Sequence, residues 1–195
     1  MGRVDGTDSG AAQRPVVLTV GHGARAGETF LRVLEAAEVG TLVDVRRFPG
    51  SRRHPQFGRD ALAAALGESR IAYEWQGEAL GGRRSRHDQT RHTALINVAF
   101  AGYADHMDTP PFRDAVNTLV VRSGNGERVA IMCAETLWWR CHRSLIADAL
   151  VCRGASVIHL LDVGRQENHR ERPTMRPDDD GWPVYDVADT LPIDE

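Results

Sequence analysis

The chain has 195 residues, 42% of them apolar, and carries 24 basic against 27 acidic side chains for a formal net charge of −3. That length suits one domain with a single well-buried core. The balance excludes wholesale disorder and a globally basic protein, and no apolar run approaches the ~20 residues needed to span a bilayer. The opening "MGRVDGTDSGAAQRP" has no hydrophobic segment of the secretory kind, so a cytoplasmic location and no membrane partner are expected. Three cysteines, an odd number, argue against a disulfide framework and leave free thiols, metal ligands or catalytic groups. Every basic residue other than histidine is an arginine, clustered in "DVRRFPGSRRHPQF" and "GGRRSR". Guanidinium is the preferred fork for phosphate and carboxylate.

Residues 1–14 are polar and rich in Gly and Ala, as expected of a tail. An α/β domain follows over 15–163. "PVVLTVGHG" is a continuous apolar run ending in glycines, the pattern of a buried parallel strand. "GETFLRVLEAAEV" predicts a helix, "TLVDVR" a second buried strand, and "RFPGSRRHPQFG" a loop with two prolines and two glycines. "RDALAAALGES" predicts a helix and "IAYEWQGE" a third strand. "LGGRRSRHDQTRHTAL" is a long polar loop of the length that tends to be functional. "INVAFAGYADHM" and "PPFRDAVNTLVVRSG" predict helices, the second with Pro in its first turn. "RVAIMCAE" predicts a fourth buried strand, "SLIADALVCRG" an amphipathic helix stopped by glycine, and "SVIHLLDV" the last main strand. Residues 164–195 read as a polar, acidic C-terminal extension with a short edge strand at "PVYDV".

Alternating strands and helices predict a single three-layer α/β domain, a mostly parallel sheet with helices on both faces. Ligands bind such sheets beyond the carboxyl ends of the strands. Four predicted strand ends carry chemical groups: His22, then Asp44 with Arg46, then Glu74 with Gln76, then Cys133 with Glu135.

The segment "MCAETLWWRCHRSLIADAL" concentrates the most chemistry. Cys133 ends a buried strand, and Cys141, His142 and Arg143 precede a helix for which Ser144 is the expected N-cap. The amides and dipole at a helix N-terminus favour negative charge, and Arg140 and Arg143 add to it, so a thiol there is expected to be partly thiolate. The same residues also read blandly, as a small hydrophobe closing a strand and an incidental thiol. Cys152, inside the helix, reads as structural. Glu135, two residues after Cys133, is expected on the same side of an extended chain, as acid or base. Asp44 closes an apolar strand and needs a partner there, from Arg46, Arg47, Arg52 or Arg53. Ser51, Arg52, Arg53 and His54 form a candidate phosphate clamp. Trp138, Tyr103 and Phe48 are candidates to line the pocket by stacking on a base. Cys133, Cys141, His142 and His22 also include the ligand types zinc accepts, although no paired C-x-x-C spacing is present and no cofactor is required by the sequence.

In order along the chain, "TVGHG…R…F", "LVDVRRFPGSRRHPQF…AL", "LGGRR", "GYADHM…F" and "MCAE…CHRSLIADAL…G…V.H" resemble the bacterial and archaeal family called domain of unknown function 488, from about Val17 to His159. The resemblance implies a compact α/β domain with the motif residues in one pocket, and no reaction. "TLWWR" departs from the family's more polar pattern. "LVDVR" and "VAIMC…R…S" are also similar in layout to rhodanese and cysteine-phosphatase domains, with a longer loop between Cys133 and Arg140.

The expected function is an enzyme on a phosphate-bearing substrate, a nucleotide or nucleic acid, of the base repair or modification type. Cys133, Glu135, Asp44 and His22 would supply the chemistry. Arg46, Ser51, Arg52, Arg53, Tyr103, Trp138, Cys141, His142 and Arg143 would hold the substrate. Two other readings stand beside it: rhodanese- or phosphatase-like cysteine chemistry, and a non-catalytic nucleic-acid binding module.

Overall fold

The computed structural model describes residues 14–50 and 53–187; the expected tail at 1–14 falls outside them except for Arg14, as do Ser51 and Arg52. Five strands run parallel: β1 Val16–Gly21, β2 Thr41–Asp44, β3 Ala72–Trp75, β4 Val129–Cys133 and β5 Ser156–Asp162. β6 Arg165–Asn168 adds an antiparallel edge, giving the order β3-β2-β4-β1-β5-β6. Sequence and position agree. The inner strands β2, β4 and β1 bury both faces and are almost wholly apolar, whereas the edge strand β6 reads RQEN and faces water.

Helices α1 Gly27–Ala36 and α2 Arg59–Glu68 cover one face, where Phe30, Leu34, Leu62 and Leu66 pack on Leu18, Val20, Leu42 and Met132. The other face carries the short α3 Gly77–Leu80, α4 Val98–Met107, α5 Pro110–Gly124 and α6 Arg143–Cys152. There Phe112, Val116, Leu119, Ile146 and Leu150 pack on Val17, Val43 and Ile131. This is the expected α/β architecture.

The differences are local. The third strand ends at Trp75 and turns into α3, because the Trp75 indole N–H donates to the Arg46 carbonyl at 2.9 Å and ties the chain down. α4 starts two residues later than its pattern suggests, at the Asn97 cap, whose side chain accepts from the Ala99 and Phe100 amides. Helix α6 is not amphipathic: every residue from Arg143 to Leu150 is buried. Its outer side is covered by a hairpin, β7 Met175–Pro177 with β8 Pro183–Tyr185, through Met175, Trp182 and Tyr185. Residues 165–185, which read as a polar extension, thus complete both the sheet and the core.

The topology opens a crevice. β1 leaves its C-terminal end for α1 on one face; its neighbour β4 leaves for α6 on the other. Gly21 lies opposite Cys133, and Asp44 opposite Met132 and Trp75, so these ends stand level. Adjacent strands whose connections part to opposite faces leave the gap where α/β sheets bind ligands.

Candidate active site

A cleft of about 640 Å³ occupies that gap. Three tight approaches shape it. A side chain on Gly21 would run into the Glu135 carbonyl, one on Gly23 (φ +55°) into the Thr136 hydroxyl, and one on Gly82 would press on His142. The "GHG" and "GG" runs therefore exist so that three loops can meet.

On the floor lie the two thiols. Cys133 Sγ and Cys141 Sγ are 2.7 Å apart, and both cysteines are free. Around them, Arg143 Nε donates to Cys133 Sγ at 2.9 Å, and the Arg143 amide, at the first residue of α6, donates to Cys141 Sγ at 3.5 Å. His142 Nδ1 stands 3.4 Å from Cys141 Sγ, while Nε2 lies 3.2 Å from the Val45 carbonyl. A carbonyl only accepts, so Nε2 carries the proton and Nδ1 offers Cys141 a lone pair. Burial holds His142 below its ordinary range and so favours the neutral ring. Burial pushes both thiols up. For Cys141 the hydrogen bond from Cys133 and the Arg143 charge outweigh it and bring the pKa down to about 7. Cys133 stays well above its usual range, through burial and its bond to Cys141. Cys141 is therefore the more acidic of the two thiols, with the Arg143 amide beside it.

Asp44 is fully buried and does not line the cleft. Its carboxylate accepts from the Arg46 amide at 3.0 Å, from Arg46 Nε at 2.9 Å and Nη2 at 2.6 Å, and from the Tyr73 hydroxyl at 2.8 Å. This bidentate clamp fixes Arg46, whose Nη1 reaches His22 Nε2 at 3.3 Å. His22 Nδ1–H donates to the Gly23 carbonyl at 2.8 Å, and the ring stacks on Phe57 with centroids 4.2 Å apart. Burial, assisted by Arg46, lowers the His22 pKa to about 4, so the ring is neutral at pH 7. The cleft wall thus has a fixed cation, Arg46, and a neutral imidazole.

The rim is cationic. Arg47, Arg53, His54 and Arg83 line it with Phe48, which is 63% exposed. The guanidinium groups of Arg47 and Arg83 lie 5.5 and 5.9 Å from the Phe48 ring centroid. Arg83 takes φ +60°, an uncommon conformation for a side-chain-bearing residue, and its carbonyl accepts from Arg47 Nη1 at 2.8 Å. The long loop that carries Arg83 is pinned by Tyr103, whose hydroxyl donates to the Leu80 carbonyl at 2.7 Å, and by Asp105, which accepts from the His87 amide at 2.7 Å.

The model of the family described as domain of unknown function DUF488 matches residues 26–150, more than half of the chain. The chain belongs to the DUF488 family. No curated protein and no solved structure matches it. In this DUF488 domain the matched span runs from α1 into α6. It holds Asp44, Arg46, both cleft thiols and His142, and leaves out His22.

Of the residues expected at the site, His22, Arg46, Arg53, Cys133, Glu135, Cys141 and His142 line the cleft. Glu135 is exposed at its edge, and its backbone carbonyl accepts from Arg143 Nη2 at 2.6 Å. Four others, among them the buried Asp44 behind Arg46, are brought elsewhere. Arg143 is 1% exposed and spends its guanidinium on Cys133, Thr19 and the Glu135 and Thr136 carbonyls, so it braces the thiols instead of meeting a ligand. Tyr103 is buried beneath His142, with ring centroids 5.1 Å apart. Trp138 is stacked on His159 at 4.1 Å with its indole N–H on Glu167, and so offers no free face to a base. Glu74, a strand-end group outside that set, pairs with Arg122 at 2.7 and 2.9 Å, toward α5 and away from the cleft. Ser144 does not cap α6: His142 holds that position, and the Ser144 hydroxyl donates to the Cys141 carbonyl at 2.9 Å. Ser51 and Arg52 lie outside the described residues. Arg47 and Arg83 were missing from the expected set, although the arginine clusters that hold them were visible.

The zinc reading needs the two thiols and the imidazoles to converge. His22 Nε2 is instead met by Arg46, and His142 Nε2 by a carbonyl. Among the described residues no group of three or more His, Cys, Asp or Glu side chains is placed to hold a metal ion. No described helix is long and apolar enough to cross a membrane.

Proposed function

We propose that this DUF488 domain is a cysteine-dependent enzyme acting on a phosphate-bearing substrate of the nucleotide or nucleic-acid class. One observation carries the reading: Cys141 Sγ sits on the floor of an arginine-rimmed cleft, in reach of Cys133, the His142 Nδ1 lone pair and the Arg143 amide at the start of α6. A thiolate near neutrality, held by a helix N-terminus and an adjacent base, is how a nucleophilic cysteine is made. The expected roles shift accordingly, with Cys141 as the nucleophile and Cys133 as its hydrogen-bond donor.

Arg46 would neutralise the charge gathering on the phosphate, held in aim by Asp44, which is therefore a positioning residue. Arg47, Arg53 and Arg83 would bind the anionic backbone, and Phe48, of the three aromatics expected to stack on a base, would be the one to do so. Glu135, the one carboxylate among the described lining residues, would protonate the leaving oxygen. The reading is of a cytoplasmic enzyme, where free thiols persist.

The test is turnover by the intact chain and by Cys141→Ser of an aryl phosphate, mononucleotides, plain and modified oligonucleotides, and thiosulfate with cyanide. Release of phosphate or nucleotide product that vanishes in Cys141→Ser supports the reading. Thiocyanate formation in its place moves the protein to sulfur transfer. Turnover that survives Cys141→Ser contradicts the role given to that thiol. The modified oligonucleotides and Glu135→Gln separate base-directed chemistry from attack at phosphorus.

A further inference from the structure

Two thiols in contact at the floor of an open cleft can do more than share a proton. The sulfurs of Cys133 and Cys141 are 2.7 Å apart, and both residues line the cleft. A disulfide needs a separation of about 2.05 Å, so less than ~1 Å of movement would bond them. Cys141 leads into α6 and Cys133 ends β4, and a single eight-residue step of chain joins them. From this geometry we infer that Cys133 and Cys141 form a reversible dithiol–disulfide couple that exchanges with low-molecular-weight disulfides entering the cleft.

The steps balance. The Cys141 thiolate attacks one sulfur of a disulfide such as oxidised glutathione, breaking its S–S bond and expelling one glutathione thiolate. Cys133 then attacks the Cys141 sulfur of the mixed disulfide and expels the second glutathione. Two electrons pass from the protein thiols to the reagent. The Cys133 proton leaves on one glutathione, and the other remains a thiolate until water protonates it. The asymmetry of the pair supports this order: the attacking thiol is the one whose pKa lies near 7, the range that exchanges fastest at neutral pH. The third cysteine makes a control. Cys152 is half-buried against Met175, and burial, with nearby carboxylates, raises its thiol to about 11.

This couple uses the same Cys141 as the proposed reaction, so closing it removes the nucleophile and stops turnover until a reductant reopens it. The experiment treats full-length Cys152→Ala with oxidised glutathione at pH 7 and follows intact mass, iodoacetamide-reactive thiols and circular dichroism. The expected result is loss of two hydrogens, no mixed disulfide remaining, no reactive thiol, an unchanged fold, and full recovery with dithiothreitol. In the same background, Cys133→Ser should accumulate glutathione on Cys141, while Cys141→Ser should react at least tenfold more slowly. Two thiols that stay reactive throughout, or a mixed disulfide that never resolves, overturn the inference. Phosphate-ester turnover with both thiols refractory to oxidant overturns this inference alone. Disulfide formation without any such turnover leaves it standing and removes the reading it shares a residue with.

Discussion

Arg143 stands between two buried polar networks that differ in one respect. On one side the Cys133–Cys141 pair, His22, Arg46 and His142 open onto the cleft. On the other, Arg143 Nη1 donates to Thr19 at 3.2 Å, and a chain of contacts runs on: Thr19 to His159 at 2.7 Å, His159 to His169 at 3.0 Å, His169 to Asp148 at 2.8 Å. Asp148 also accepts from the Tyr185 hydroxyl at 2.9 Å. The second network is roofed by Trp138 and the β7–β8 hairpin. Thr19, His159 and Asp148 are each at most 1% exposed. Each network contains an imidazole that burial holds below its ordinary range, His22 in the first and His159 in the second. What separates them is access: the first network opens onto the cleft, as the proposed reaction requires, and the second lies under the hairpin and Trp138.

The sharpest break between the two is Cys141→Ser. It should abolish turnover, by roughly 10⁴-fold or more, since a nucleophile cannot be partly replaced. Thermal stability should hardly move. Asp148→Asn is its mirror. It leaves His169 and Tyr185 with a poorer acceptor in a sealed interior, which should cost about 2 kcal/mol, a fall in Tm of about 4–8 °C for a chain of this length. The turnover number of the folded fraction should be unchanged. A Cys141→Ser protein that melts early, or an Asp148→Asn protein that stays stable but inactive, would erase the distinction.

Phe48→Ala tests the rim. Phe48 is exposed, so stability should change by less than ~0.5 kcal/mol. A lost base stack is worth about 1–2 kcal/mol, or roughly tenfold in KM for nucleotides, with none for an aryl phosphate too small to reach the rim.

Acid should act on both networks together. His159 is held to about 2 and His22 to about 4 in the folded chain, against 6.5 unfolded. Below pH 6.5 the unfolded chain takes up protons that the folded chain refuses. Stability is therefore full above pH 6.5 and falls as pH drops toward 4. Melting curves at half-unit steps should show that decline, and it should be shallower in His159→Gln. A flat profile between pH 6.5 and 4 would mean that these rings are not neutral in the folded chain.

Much of this arrangement was legible in the sequence because it follows from burial. "VAIMC" is an uninterrupted apolar run and "TLVDV" an apolar one broken only by its Asp, the pattern of inner strands, so Asp44 and Cys133 were expected at one sheet edge. The pairing of unlike groups at that edge followed from topology alone. The contacts that decide roles did not. Trp138 reads as a stacking platform until β5 and β6 bring His159 and Glu167 beneath it. Arg143 reads as a ligand arginine until its guanidinium is seen to be filled by Thr19, a thiol and two carbonyls. Of the hairpin over α6, "PVYDV" marks β8 as a short strand, but β7, three residues long, leaves no period to read. Without the hairpin, α6 looks like a surface helix with one apolar face.

The central claim is that Cys141 is a thiolate at neutral pH on the floor of an anion-binding cleft. Iodoacetamide labelling read by mass spectrometry, from pH 5 to 10 with and without added nucleotide, tests it directly. The account predicts that Cys141 is modified first, at a rate that rises through pH 7 and is suppressed by the nucleotide. Modification that begins only above pH ~8.5, the range of an ordinary thiol, or that ignores the nucleotide, would contradict it.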